Sequence, residues 1–197
     1  MNNEQKILQK MQENNGIITT TEVEQMGIPR KSLSRMLTKG LIEREKQGLY
    51  ILPSTWGDEY YNLVFSSKNV VFSHATALYL HNLCERVPLI YEITVLDGYN
   101  ARLRNEDNVE LYVVNRELFE LGKIEIKSPQ GKSVPVYDIE RCLCDIVKDK
   151  DKQDIEIIKY AYKSYVKNPK KNIYKLMEYA KRLKVEDEVN SYLEVLL

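Results

Sequence analysis

Residues 29–52 read PRKSLSRMLTKGLIEREKQGLYIL, and this stretch decides the fold of the N-terminal part of the chain. Pro29 suits the first turn of a helix and Gly40 suits its end, so we expect a helix from Pro29 to about Lys39. Two runs of alternating apolar and polar residues follow, separated by the turn sequence KQG. This pattern predicts a β-hairpin over residues 41–52.

The expected helix has two different faces. Leu33, Met36 and Leu37 follow the i, i+3, i+4 spacing, so they share one side and are expected to pack on the preceding helices. A helix held in this way fits the major groove of DNA, which is roughly 12 Å wide. Basic and hydroxyl side chains on its outer side suit contacts with phosphates and base edges. The candidate DNA-binding residues are Arg30, Lys31, Ser34, Arg35, Thr38 and Lys39 on the helix and its flanks, and Arg44 and Lys46 on the hairpin.

Two shorter helices are expected before this stretch. Ile7 and Met11 lie on one face of the segment 3–14, which predicts the first helix. Thr21 and Glu24 have the spacing of a capping box, which would begin the second helix. Helix, helix, tight turn, helix and hairpin is the element order of a winged helix-turn-helix, a variant of the helix-turn-helix that places its last helix in the major groove.

Local charge favours DNA binding by an N-terminal domain of residues 1–56. The whole chain has 29 basic and 29 acidic side chains and a formal net charge of zero, which excludes a histone-like coat of positive charge. Within residues 28–48, however, six basic side chains stand against two acidic ones. Two other interpretations stay open at this point: an ordinary solvated charged face, and a winged helix that docks on another protein.

Composition places the chain among globular proteins. Its 197 residues are 43% hydrophobic, which is ordinary for one large or two small domains. The longest apolar run is too short to span a bilayer, and the polar start MNNEQK is not a signal peptide. Cys84, Cys142 and Cys144 have neither disulfide nor zinc-ribbon spacing. We therefore expect a cytoplasmic protein without a membrane segment, a metal or a cofactor.

The remainder, residues 57–197, predicts a mixed α/β domain that ends in a helical bundle, so the expected fold class is α+β. Two early helices are expected, from about Asp58 to Ser66 and from Ser73 to Leu83. Strands are expected at 91–96, 111–114, 123–127 and 133–137, with successive helices from Asp138 onward.

A pair of histidines could suggest a metal site in this second part. His74, His81 and Cys84 lie on one expected helix. A separation of seven residues, however, places the two histidines about 10 Å apart along a straight helix, which is too far to share one ion. Packing and hydrogen bonding account for these side chains without a metal.

A group of carboxylates could suggest acid–base chemistry. Asp138 suits a helix N-cap, Glu140 suits the first turn, and Asp145 is placed to pair with Arg141 at i, i+4. The chain has no glycine-rich phosphate loop, no HExxH motif and no nucleophile elbow. We therefore expect a protein that is not an enzyme and has no catalytic residue. The rival hypothesis is a nucleic-acid-processing enzyme that uses the winged helix to bind its substrate.

The chain resembles the AbiEi antitoxins of the abortive-infection E type IV toxin–antitoxin systems over nearly its whole length. The likeness rests on the N-terminal winged helix and on several later segments. These are VFSHATALYLHNL (71–83), VPLIYEITV (87–95), PQGKSVPVYDIERCLCDI (129–146) and the terminal YLEVLL. The combinations S-H-x-x-A-L-x-L-H and Y-D-x-E-R-x-x-x-D are its specific part.

The resemblance implies a transcriptional repressor that binds inverted repeats of double-stranded DNA in its own promoter, within a system of antiviral defence. It also implies that the C-terminal domain, residues 57–197, opposes a nucleotidyltransferase-like toxin without a stable complex between the two proteins. The resemblance supplies no catalytic residue. It carries over motif positions of structural weight only, namely Ser73, His74, Asp138, Glu140, Arg141 and Asp145.

Overall fold

The computed structural model describes residues 1–65, 67, 69–99 and 107–196 of the chain. These residues form a mixed α and β structure with two β-sheets. The chain divides into two compact units, Met1–Phe65 with Lys127–Ser133, and Ser66–Ile126 with Val134–Leu197. The first unit therefore continues past Trp56 and includes a short segment from later in the sequence.

The first unit contains the helix and the hairpin that residues 29–52 predict. Its elements in chain order are α1 (Asn3–Glu13), β1 (Ile17–Thr19), α2 (Thr20–Gln25), α3 (Lys31–Thr38), β2 (Glu43–Lys46), β3 (Leu49–Ile51) and α4 (Glu59–Val64). The strands form one antiparallel sheet in the order β1-β3-β2, in which Ile51 pairs with Ile17 on one side and with Glu43 on the other.

The sheet of the first unit is covered on both faces. On one face, Met11, Ile18 and Met36 belong to a buried cluster that joins the sheet to the first three helices. On the other face, Leu49 lies in a smaller cluster against Tyr61 of α4. Because both faces are covered, every residue of β3 is buried. In a hairpin with one solvated face, only alternate residues would be buried.

The capping box of α2 lies two residues earlier than the sequence pattern indicates, so the expected pair Thr21 and Glu24 is wrong. Thr19 is the N-cap residue; its hydroxyl accepts from the Glu22 N–H at 3.1 Å, and its own N–H donates to the Glu22 carboxylate at 2.7 Å. Thr19 is the last residue of β1 and has extended backbone angles, which an N-cap requires. Thr21 lies inside the helix and is exposed.

The second unit has a five-stranded sheet in the order β6-β5-β4-β8-β7. Its strands are β4 (Val70–Phe72), β5 (Tyr91–Leu96), β6 (Val109–Val114), β7 (Lys123–Lys127) and β8 (Ser133–Tyr137). The short segment of β4 lies in the middle of the sheet, where it is antiparallel to β5 and parallel to β8. All three of its residues are buried, as the central position requires.

Six α-helices and one short 3-10 helix, Lys150–Lys152, accompany this sheet in the described part of the second unit. The α-helices are α5 (His74–Leu80), α6 (Arg116–Glu120), α7 (Ile139–Lys148), α8 (Ile155–Lys167), α9 (Ile173–Leu183) and α10 (Glu186–Leu196). Helix α7 packs against α5, α8, α9 and α10, and its residues 140–147 are all buried. Within the ranges given above, no helix is long and apolar enough to cross a membrane.

Helix α5 is shorter than the sequence indicates. Asn82 has a left-handed backbone (φ 60°), and the Leu83 N–H bonds the Leu78 carbonyl at 2.8 Å, which closes the helix in a Schellman motif. The expectation that His81 and Cys84 lie on the same helix as His74 is therefore wrong. The helical spacing of apolar residues continues past Leu80, but the backbone does not.

Candidate nucleic-acid interface

A tight turn connects α2 to α3 and fixes the start of α3. Gly27 has a left-handed backbone (φ 72°), and the Ile28 N–H bonds the Val23 carbonyl of α2 at 3.1 Å. The Ser32 N–H then bonds the Pro29 carbonyl at 2.9 Å. The first helical turn therefore reaches back to Pro29, although regular α-helix begins at Lys31.

The inner face of α3 is the apolar face that the sequence predicts. Leu33 and Met36 are fully buried in the cluster that includes Ile7 and Met11 of α1, and Leu37 packs at its edge. Burial of two such side chains stabilises the helix by about 1.5–3 kcal/mol each. The opposite face is thereby fixed toward solvent.

The outer face of α3 presents two cations and two hydroxyls. Lys31, Ser34, Arg35 and Thr38 are all exposed. The Thr38 hydroxyl donates to the Ser34 carbonyl at 3.1 Å, which orients it along the helix. Within the described part of the chain, Lys31 and Arg35 have no ion-pair partner, so their charges are available to a ligand.

Two further cations flank this face and are paired with carboxylates. The Arg30 side chain donates to Glu24, a hydrogen bond that raises the pKa of Arg30 and lowers that of Glu24. The Lys39 ammonium lies 2.7 and 2.9 Å from the two Glu4 carboxylate oxygens. Exposed pairs of this kind are weak, so both cations can exchange their carboxylate for a phosphate at little cost.

The hairpin contributes one exposed cation and one that is held by the fold. Arg44 is exposed, with its guanidinium 5.7 Å from the centre of the Tyr50 ring. Lys46 is half-buried, and its ammonium donates to the Asn62 carbonyl of α4 at 3.1 Å. The structure therefore ties Lys46 to α4, and no pattern in residues 41–52 indicates this contact.

The second unit contains a buried polar cluster around His74. Its Nδ1 lies 2.9 Å from Ser73 Oγ, its Nε2 lies 3.1 Å from an Asp149 carboxylate oxygen, and its ring stacks on Tyr112 with centroids 3.6 Å apart. The hydrogen bond with His74 lowers the pKa of Asp149. The arrangement resembles a nucleophile with its base, yet Ser73 is 0% exposed, so its hydroxyl does not face solvent.

The carboxylates of the YDxER segment meet a lysine that the sequence does not point to. Asp138 caps α7 by accepting from the Arg141 N–H at 2.9 Å, as expected. The Lys175 ammonium lies 2.9 Å from Asp138 and 3.2 Å from Glu140. Burial alone would lower the pKa of Lys175, but these two carboxylates raise it to about 12. Lys175 is on α9, and no local spacing connects it to α7.

The expected i, i+4 pair of α7 is present and deeply buried. The Arg141 Nε donates to both Asp145 carboxylate oxygens, at 2.9 and 3.0 Å. Cys142 and Cys144 are buried on the same helix, as packing residues would be. Among the residues that the structure describes, no group of three or more His, Cys, Asp or Glu side chains is arranged to hold a metal ion.

His81 donates from Nε2 to the Tyr137 carbonyl at 2.8 Å. Burial lowers its pKa, against the opposing effects of that carbonyl and of Asp138 and Glu140. The folded protein therefore favours neutral His81, whereas the unfolded chain takes up a proton as the pH falls below the ordinary value of 6.5. The stabilising effect of His81 is present above that pH and is lost as the pH falls.

We expect His81→Ala to lower the free energy of unfolding by about 1–2 kcal/mol at pH 7.5, because a buried hydrogen bond is lost. The wild type should also lose stability between pH 7 and pH 5 more steeply than His81→Gln, which has no group that titrates there. Urea unfolding at several pH values measures both effects. Parallel pH profiles for the two proteins would contradict this role of His81.

The N-terminal part of the chain is similar to a known protein family. Residues 5–53 match the AbiEi antitoxin family of transcriptional regulators. The match confirms the resemblance over this AbiEi segment. The segment runs from α1 to just beyond β3 and includes all eight candidate DNA-binding residues.

The fold of most of the chain also has a solved counterpart. It is similar to the crystal structure of the RV2827C protein from Mycobacterium tuberculosis, with a TM-score of 0.57 over 91% of this chain and 71% of that one. The sequence identity is 9%, so this likeness concerns the fold alone. No curated protein matches the chain. The AbiEi segment is thus the part of the chain whose sequence matches a known family.

Proposed function

We propose that this chain is an antitoxin that represses its own operon by binding inverted repeats in the promoter. The observation that carries the proposal is the outer face of α3, where Lys31 and Arg35 lie exposed beside the hydroxyls of Ser34 and Thr38. This face belongs to the AbiEi segment, whose family consists of transcriptional regulators. The opposite face is anchored in the core, so the helix can enter the groove as a rigid element.

In this proposal the first unit works as a winged helix-turn-helix. Helix α3 lies in the major groove, with Arg35 and Lys31 at base edges or phosphates. Arg30 and Lys39 exchange their carboxylates for phosphates at the flanks of the helix. Arg44 on the hairpin lies along the neighbouring backbone or minor groove, and Lys46 is the weakest candidate because α4 holds its ammonium.

Two copies on one inverted repeat would explain selective binding by so small a contact surface. Each copy reads one half-site, and the second copy binds more tightly because contact or a shared DNA bend links the two events.

The remaining part of the chain, after Trp56, opposes a nucleotidyltransferase-like toxin without a stable complex. We assign no catalytic residue to it, since Ser73 is closed to solvent and Asp138 and Glu140 are occupied by Lys175.

The two activities should be separable by substitution. We expect the double variant Lys31→Ala/Arg35→Ala to lose repression of a reporter placed behind the operon's promoter. The same variant, expressed from an unrelated promoter, should still protect cells against the downstream toxin. Reporter output and survival after toxin induction are the two measurements, with the wild type and an empty vector as references.

Either of two results would contradict the proposal. Repression that is unaffected by the double substitution would remove DNA binding from α3. A wild-type protein that gives no protection against the toxin would remove the antitoxin role.

A further inference from the structure

The turn between β7 and β8 belongs to the first unit, although those two strands lie in the sheet of the second. Residues Lys127–Ser133 group with Met1–Phe65. The turn is closed by its own hydrogen bonds. The Ser128 N–H bonds the Lys132 carbonyl at 2.8 Å, and the Lys132 N–H bonds Ser128 Oγ at 3.0 Å. The segment is therefore a preformed loop and not a loose connection.

Two side-chain contacts anchor this loop within the first unit. The Ser128 hydroxyl donates to an Asp58 carboxylate oxygen at 2.5 Å. Asp58 is 0% exposed and caps α4 through the Tyr61 N–H at 3.0 Å. The Asn15 side chain donates to the Gln130 carbonyl at 2.6 Å. The loop is thus bonded to the start of α4 and to the turn that follows α1.

Lys132 extends from the loop to the start of α2. Its side chain is only 13% exposed, and its ammonium lies 3.9 Å from a Glu22 carboxylate oxygen and 5.6 Å from the centre of the Tyr61 ring. Burial lowers the pKa of Lys132, while Glu22 and Asp58 oppose that shift. The ammonium is therefore placed to offset the negative charge of Glu22.

Glu22 is the residue that fixes the N-terminus of α2. Its carboxylate accepts from the Thr19 N–H at 2.7 Å and from the Asn14 side chain at 3.1 Å. Helix α2 is joined to α3 by a short turn whose Ile28 N–H bonds the Val23 carbonyl, and Val23 lies in the same buried cluster as Leu33 and Met36 of α3. Since Val23 follows Glu22 directly, we expect a displacement of Glu22 to reach α3 through this cluster and this turn.

We propose that the loop 127–133 is a positioning element for DNA recognition, in which Lys132 and Ser128 hold α2, and through it α3, in the orientation that fits the operator. This inference rests on the proposed function.

The test compares Lys132→Ala with Lys127→Ala in the full chain. Both variants remove one positive charge from the same loop, but Lys127 is exposed at the end of β7. Each protein is titrated against a promoter duplex and a scrambled duplex of equal length. We expect Lys132→Ala to weaken promoter binding roughly 3- to 30-fold, the usual range for substitutions remote from a ligand. Its affinity for the scrambled duplex should equal that of the wild type.

Three further measurements separate positioning from a phosphate contact and from simple loss of stability. If Lys132 contacts a phosphate directly, Lys132→Ala should reduce the slope of log binding constant against log salt concentration by about one. A positioning role leaves that slope unchanged. Lys132→Arg should restore promoter affinity. Ser128→Ala removes the hydrogen bond with Asp58 and should also reduce the preference for the promoter. If Lys132→Ala is unfolded at the assay temperature, Ser128→Ala is used in its place.

The outcomes distinguish this inference from the proposed function. Equal promoter preference in the wild type, Lys127→Ala, Lys132→Ala and Ser128→Ala would overturn the positioning role and leave the repressor proposal intact. A reduced salt slope for Lys132→Ala would also overturn it, in favour of direct contact. A wild type with no preference for the promoter would overturn the repressor proposal itself.

Discussion

Replacement of Asp145 by alanine is expected to lower the free energy of unfolding of the second unit by about 3–5 kcal/mol. The reason is that Arg141 is 1% exposed and would keep its charge without a counter-ion. Its other partners are the Leu118 and Leu121 carbonyls, at 2.5 and 3.0 Å, and the Tyr137 ring, 4.3 Å from the guanidinium carbon. These neutral groups cannot replace a carboxylate that is bonded twice.

Urea unfolding monitored by circular dichroism measures this loss. The matched control is Glu117→Ala, which removes the carboxylate of a surface pair with Arg182 in the same unit. Because both side chains of that pair are exposed, its loss should cost about 0–1 kcal/mol. If Asp145→Ala were no more destabilising than Glu117→Ala, the buried pair would not be a main support of α7.

The second large effect concerns promoter affinity. Arg35→Ala and Lys31→Ala should each weaken binding by about 1–3 kcal/mol if the side chain reaches a base edge, and by less if it meets only phosphate. The melting temperature should hardly change, because both side chains lie opposite Leu33 and Met36. Lys6→Ala is a suitable control, since it removes an exposed lysine from α1.

Gel-shift or fluorescence titrations on the operon's promoter give these affinities. The promoter affinity of Lys6→Ala should differ from that of the wild type only by the general electrostatic effect of removing one positive charge. If both α3 variants bound as tightly as the control, the outer face of α3 would not be the DNA-binding surface.

Features encoded by neighbouring residues are predictable from the sequence. Pro29 and Gly40 bound α3, and Leu33 and Met36 define its buried face, because these signals depend only on backbone preference and helical spacing. The Arg141–Asp145 pair follows from the same spacing. The errors at the start of α2 and the end of α5 have local causes too: β1 ends at the residue that caps α2, and a left-handed Asn82 ends α5.

Features that join distant parts of the chain are not predictable in this way. Ser128 meets Asp58 across 70 residues, and Lys46 is held by a carbonyl of α4. Such pairs depend on how the elements pack, and the residues that neighbour each partner in the sequence form no pattern that predicts the contact. The same applies to Lys175, whose two carboxylates belong to the YDxER segment. For this reason, the sequence indicates the outer face of α3 but not the contacts of Lys132 with Glu22 and of Ser128 with Asp58.

Promoter recognition through α3 is tested by a titration of the wild-type chain against its own promoter and against a scrambled duplex, at physiological salt. We expect saturable promoter binding that is at least about a thousandfold tighter than binding to the scrambled duplex, the usual margin for a specific regulator. We also expect Lys31→Ala/Arg35→Ala to remove most of this preference. Equal affinity of the wild type for the two duplexes would contradict the claim that this protein recognises its promoter through α3.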